Sequence, residues 1–125
     1  MNEETLFNLL KKVIPDLTTT SEFSFRDAYS HRHKLSLELK CRKKDYDKLL
    51  IEKSKYDNLM LCSNVRYVNS LPSGIYSFDL KKMKEPVWFK KILPATTECG
   101  NDKKIFKLVS LLDLSLADDI TKLLL

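Results

Sequence analysis

Asp27 and the run Lys34-Leu35-Ser36-Leu37-Glu38-Leu39-Lys40 hold the residue types in this chain that could do chemistry together. The run alternates polar and apolar without a break. A strand turns successive side chains to opposite faces, so Leu35, Leu37 and Leu39 share one face and Ser36, Glu38 and Lys40 the other. The leucine face has a core to bury. The opposite face presents a carboxylate and an ammonium two residues apart, about 7 Å along the strand. If a neighbouring strand brings Asp27 alongside, two carboxylates and a lysine converge. Such a set suits a hard divalent cation and the activation of water beside a phosphodiester. The reading without chemistry is an exposed Glu38–Lys40 pair on an ordinary amphipathic strand.

The elements that must position these residues follow from patterning. Asn2 to Ile14 reads as a helix, with Leu6, Leu9, Leu10, Val13 and Ile14 on one stripe and Asn2 or Thr5 as cap. Pro15 ends it, and Thr18 to Ser21 reads as a polar connection. Phe23 to Tyr29 reads as a strand, Ser30 to His33 as a turn, and Lys34 to Arg42 as a second strand. A second helix is expected over Tyr46 to Leu61, capped by Asp45. On it Tyr46, Leu49, Tyr56 and Met60 form a stripe with Lys53 in the middle. A lysine there must snorkel to the sheet edge or reach an anion, and the functional reading sends it to the cleft of Glu38 and Lys40. Glu52 flanks that stripe, within reach of either lysine. Asn64 to Leu71 and Ile75 to Leu80 pair through the Pro72-Ser73-Gly74 turn. Val87 to Leu93 around Trp88 is a further strand, Pro94 to Asp102 a loop, and Lys104 to Leu112 a strand or the start of a helix. Ser115 is expected to cap a terminal helix through Leu124. The order predicts one α/β domain over 1–125, a central mixed β-sheet flanked by helices.

Composition agrees with a soluble globular protein: 43% hydrophobic and 31% charged residues in a chain of 125. The first residues, MNEETLFNLLKKVIP, are acidic before they are apolar, the reverse of a secretory leader. No apolar run approaches a membrane span. Cys41, Cys62 and Cys99 are scattered and odd in number, which fits reduced thiols in a cytoplasm. A net charge of +5 allows a polyanionic partner. Basic residues cluster at Arg32-His33-Lys34, Lys40 to Lys44, Lys81 to Lys84, Lys90-Lys91 and Lys103-Lys104, and several clusters beside a carboxylate site point to nucleic acid. With only Gly74 and Gly100, no glycine-rich phosphate loop can form. His31 and His33 lack a third ligand spaced for zinc.

An early helix, a strand with Asp27, a short turn, a strand carrying Glu38-Leu39-Lys40 and a helix returning over the sheet resemble the PD-(D/E)xK nuclease superfamily, with its restriction-endonuclease-like fold. The resemblance spans about Asn2 to Leu80. The residue before Asp27 is Arg26 in place of the family's frequent proline. The resemblance implies a Mg²⁺ (or Mn²⁺) dependent endonuclease acting on DNA. Asp27, Glu38 and the backbone carbonyl of Leu39 would hold the metal, with Lys40 orienting or activating the water. It further implies a polar residue from the helix that follows, which fits Lys53, with Glu52 and Tyr56 as accessories, and an acidic residue from the first helix, Glu3 or Glu4. Arg26, Arg32, Lys34, Arg42, Lys43 and Lys44 are the expected nucleic-acid contacts. Small homodimeric Holliday junction resolvases in that superfamily make a structure-specific substrate and a homodimer the corresponding expectations. The chain is also similar to small phage proteins with an Ile-Glu-Lys-x-Lys-Tyr segment, here Ile51 to Tyr56, a Trp strand and a Pro-x-Thr-Thr loop, here Pro94 to Thr97. That context implies the cytoplasm of a bacterial host. The alternative class is a non-catalytic nucleic-acid-binding or assembly module that retains the fold. The two differ in geometry: a nuclease needs the Asp27 and Glu38 carboxylates within about 5 Å, close enough to share one cation.

Overall fold

The computed structural model describes residues 1–21, 24–94 and 104–125, with the side chains of 20–26 and 94–103 outside the description. Helix α1 is Glu3–Val13; Asn2 caps it by accepting from the Thr5 N–H at 2.8 Å. Its stripe of Leu6, Phe7 and Leu10 is buried. The threonine-rich stretch after Pro15 is a short strand, β1 (Thr18–Ser21), where a connection was expected. β-Branched residues favour extended backbone, and pairing with the next strand satisfies their amides. Strands β2 (Ser24–Ser30) and β3 (Leu35–Cys41) form the expected hairpin, turned at Lys34 with φ 49.

The main departure from the sequence reading lies between Arg42 and Leu61. Lys48–Glu52 is a strand, β4, and helix α2 is only Lys53–Met60. Leu49 and Ile51 are buried on one side of β4 while Lys48 and Glu52 point away, a period of two rather than 3.6. The expected stripe of Tyr46, Leu49, Lys53, Tyr56 and Met60 therefore does not exist. Asp45 caps no helix; its carboxylate accepts from the Ser73 N–H at 3.0 Å.

Strands β5 (Val65–Leu71) and β6 (Gly74–Asp79) pair as expected through Pro72-Ser73. Gly74 leaves room for Thr121, whose Oγ1 accepts from the Ile75 N–H at 2.9 Å. β7 (Phe89–Pro94) pairs with β8 (Lys104–Asp113), which is wholly strand. The C-terminal segment contains a 3-10 turn at Leu114–Leu116 capped by Asp113, a short β9 (Asp118–Asp119) and a one-turn α3 (Thr121–Leu124). Ile120, not Ser115, is the N-cap residue of that last turn, and Asp119 just before it accepts from the Thr121 N–H at 3.0 Å. Leu124 docks into the core under α1, while Leu116, Leu123 and Leu125 are exposed.

Six strands form a mixed sheet in the order β1-β2-β3-β5-β6-β9, and three form a second sheet, β4-β8-β7. Only β3 and β5 run parallel in the large sheet, joined by the β4–α2 crossover. One face of that sheet packs Ala28, Leu37, Leu39, Val68 and Ile75 against α1. The other packs Val65, Tyr67, Leu71 and Phe78 against Leu49, Ile51, Tyr56, Leu59 and Leu112 of the second layer. Arg42 ties the layers together. Its guanidinium donates to Leu50 O at 2.8 Å, Tyr67 Oη at 3.1 Å and Asn69 Oδ1 at 3.2 Å. Among the described residues no helix is long and apolar enough to cross a membrane.

Candidate functional site

Asp27 and Glu38 stand directly opposite each other on the antiparallel β2–β3 pair. Opposed side chains have Cβ atoms about 4.5–5.5 Å apart, so the two carboxyls meet. Because Ala28 and Leu37 face α1, Asp27 and Glu38 face the second layer. Lys40 shares that face and lies level with Asn69 on β5, while Glu38 lies level with Tyr67.

Glu38 is only 5% exposed. Lys55 Nζ reaches its Oε1 at 3.1 Å, and Oε2 is buried without a hydrogen-bond donor. Burial, first, and the neighbouring Asp27 carboxyl, second, push the Glu38 carboxyl up to about 8 from an ordinary value of 4.5, against the opposing pull of Lys55. The orphaned oxygen and the Asp27 contact are two views of one arrangement. With both carboxyls ionised neither has a proton to give, and with one protonated they hydrogen-bond. A shared proton or a shared cation relieves the same repulsion, so the two carboxylates fit a divalent ion.

Around the pair the walls are ordered. Tyr67 is buried, which pushes its phenol up to about 12, and its Oη bonds Leu50 O at 3.3 Å. Asn69 is fully buried, with Oδ1 held by Arg42 and Nδ2 unpartnered. Glu52, just before α2, is paired with Lys107 Nζ at 2.9 Å.

Several expected site residues sit elsewhere. Lys53 opens α2, pairs with Asp57 at 2.8 Å and lies over the Trp88 ring at 5.7 Å, so it does not reach Glu38. Lys55 does, and the sequence reading missed it. Leu49-Leu50-Ile51 is apolar throughout and carries no alternation to announce a strand; ending β4 at Glu52 starts the helix at Lys53 and brings Lys55 to Glu38. Tyr56 is a core residue packed edge-on against Trp88 at 5.1 Å. Glu3 and Glu4 open α1, on the opposite side of the sheet from Glu38, because α1 packs on the leucine face. Leu39 has its side chain fully buried in that same face. Arg42 is engaged by three acceptors inside the domain, which removes it from the expected nucleic-acid contacts. Arg32, Lys34, Lys43 and Lys44 are exposed. The Arg26 side chain and Cys99 lie outside the described residues. His31 stacks edge-on against Tyr29 at 4.7 Å. Among the described residues no third His, Cys, Asp or Glu joins the pair to make a larger metal-ligating group.

No family model, no curated protein and no solved structure matches this chain.

Proposed function

We propose that the protein is a Mg²⁺-dependent (or Mn²⁺-dependent) endonuclease that hydrolyses DNA phosphodiesters, with a restriction-endonuclease-like arrangement of its core. The observation that carries this reading is the half-buried Asp27 set against the buried Glu38, one of whose oxygens is left unpartnered. Burying the Glu38 carboxyl against a second carboxyl costs several kcal/mol unless a cation or proton joins them. A fold selected only for stability has no use for that expense. The element order supports the reading further: α1, a strand with Asp27, a turn, a strand with Glu38 and Lys40, then a crossover helix into a strand parallel to β3.

Asp27 and Glu38 are the metal ligands in this proposal, with the Leu39 carbonyl beside them. The bound ion supplies charge neutralisation at the phosphate and a lowered water pKa. Lys40, on the same face, orients the attacking water or stabilises charge on the phosphoryl oxygens. Lys55 is a positioning residue: it holds one Glu38 oxygen and leaves the other to the metal. The hydroxyl of water adds to phosphorus, the ester P–O bond breaks, and the leaving oxygen takes up a proton. Two carboxylates are enough protein ligands for Mg²⁺, which usually keeps waters and substrate oxygens in its remaining positions. A small domain suits recognition of DNA structure, such as a four-way junction, by a homodimer.

The test is incubation with supercoiled plasmid and a synthetic four-way junction, in Mg²⁺, Mn²⁺ or EDTA, for the wild type, Asp27→Ala and Lys40→Ala. Metal-dependent cutting that both variants lose supports the assignment. Absence of cutting by a folded protein that still binds DNA replaces it with the non-catalytic binding module.

A further inference from the structure

Strand β8 is longer than either of its neighbours. Its C-terminal half pairs with β4 from Val109 to Asp113, and its N-terminal half pairs with β7 from Lys104 to Val109. The β7–β8 ribbon therefore overhangs β4 and projects beyond the layer that covers the candidate site. Ile92, Phe106 and Leu108 share one face of the overhang. All three are exposed, Phe106 to 70%, although residues further along that face, Ser110 and Leu112, are buried. Lys90 and Lys104 share their face, and Lys91 stands on the other. Lys90, Lys91 and Lys104 are exposed, whereas Lys107 is neutralised by Glu52. Neither Val87 to Pro94 nor Lys104 to Leu112 contains a single Asp or Glu.

We infer that this ribbon is a DNA-binding arm that lies in a groove of duplex DNA. A two-stranded ribbon fits the major groove, about 12 Å wide, where apolar side chains meet thymine methyls and lysines reach the flanking phosphates. Charge complementarity selects this occupant over a second copy of the chain. Two β7 edges brought together would set lysines against lysines, and lysine on an edge strand discourages such pairing. The inference rests on the proposed nuclease reading only for what is done with the bound duplex.

The experiment is fluorescence anisotropy with a labelled duplex of about 30 base pairs, long enough to span several grooves, in EDTA so that nothing is cut. It compares the wild type, the triple variant Lys90→Gln/Lys91→Gln/Lys104→Gln and Phe106→Ser across a salt series. The triple variant is expected to bind at least about tenfold more weakly, with a salt slope shallower by about two to three. Phe106→Ser is expected to weaken binding several-fold and leave the slope unchanged. Cutting by the wild type and Asp27→Ala is scored separately in Mg²⁺, so a failed nuclease reading and a failed arm give different results. Wild-type-like binding by the triple variant, or no duplex binding by the wild type, overturns the arm. So does a dimer in sedimentation that Phe106→Ser dissociates without changing DNA affinity, or triple-variant-sensitive binding to phosphatidylserine vesicles in place of DNA.

Discussion

The two faces of the six-stranded sheet are built by the same strands to opposite rules. Toward α1, β2, β3 and β5 present Ala28, Leu37, Leu39 and Val68, a dry surface against Leu6, Phe7, Leu10 and Leu17. Toward the second layer the same strands present Asp27, Glu38, Lys40, Tyr67 and Asn69. Of the three buried side-chain atoms without a partner among the described residues, two, Glu38 Oε2 and Asn69 Nδ2, are on that second face. The first face is optimised for packing, and the second gives up packing for charge. A sheet that is apolar on both sides would be more stable, so the polar patch is where selection for something other than stability shows.

The sharpest way to separate the faces is to substitute one residue on each. Asp27→Ala is expected to abolish metal-dependent cutting, by about a hundredfold or more, with little loss of stability because it removes a repulsion. Leu39→Ala, next in the chain to Glu38 but on the dry face, is expected to lower stability by about 3 kcal/mol in urea titrations through the cavity it leaves. If Asp27→Ala instead unfolds the protein, the contrast between the faces fails.

A second expectation concerns pH. Glu38 in the folded protein holds its proton up to about 8, whereas an ordinary glutamate releases it near 4.5. Between those values the folded state binds more protons than the unfolded state. Stability from this group is therefore complete below about 4.5 and declines as pH rises toward 8, by a few kcal/mol. Thermal unfolding between pH 5 and pH 8.5 should show the decline in the wild type and much less of it in Glu38→Gln. Mg²⁺ should restore stability at the alkaline end in the wild type alone, since only a site that binds the ion in the folded state gains from it.

Smaller effects refine the role of α2. Lys55→Gln removes the Lys55–Glu38 ion pair, and its lysine is 44% exposed, so the loss at pH 8 should be about 0.5–1 kcal/mol. It should also extend the decline to higher pH, which a merely structural lysine would not do. Lys53→Ala, on a solvent-facing pair with Asp57, should change stability by no more than about 0.5 kcal/mol and leave cutting unaltered. Equal effects of the two lysines on cutting would remove the positioning role of Lys55.

Local patterns were enough to read the first half of the site. The alternation through Leu35, Leu37 and Leu39 fixed which side of β3 is buried, and so which side Glu38 and Lys40 share, because a period of two leaves no other arrangement. Asn2 as a cap, the Pro72-Ser73 turn and the α1 stripe were legible for the same reason: each depends on neighbours within a few residues. The segment from Tyr46 to Leu61 was not legible in that way. Lysines and leucines serve a helix as well as a strand, and its last residues are helical. Only pairing with β8, sixty residues downstream, makes Lys48–Glu52 a strand. That one tertiary choice moved Lys53 out to solvent and brought Lys55 to Glu38. It also turned Arg42 inward to the Leu50 carbonyl and placed the β7–β8 ribbon beyond the site. Sequence determined which residues face together within each strand. Tertiary structure decided which strands meet, because that depends on contacts whose distance along the chain no local period records.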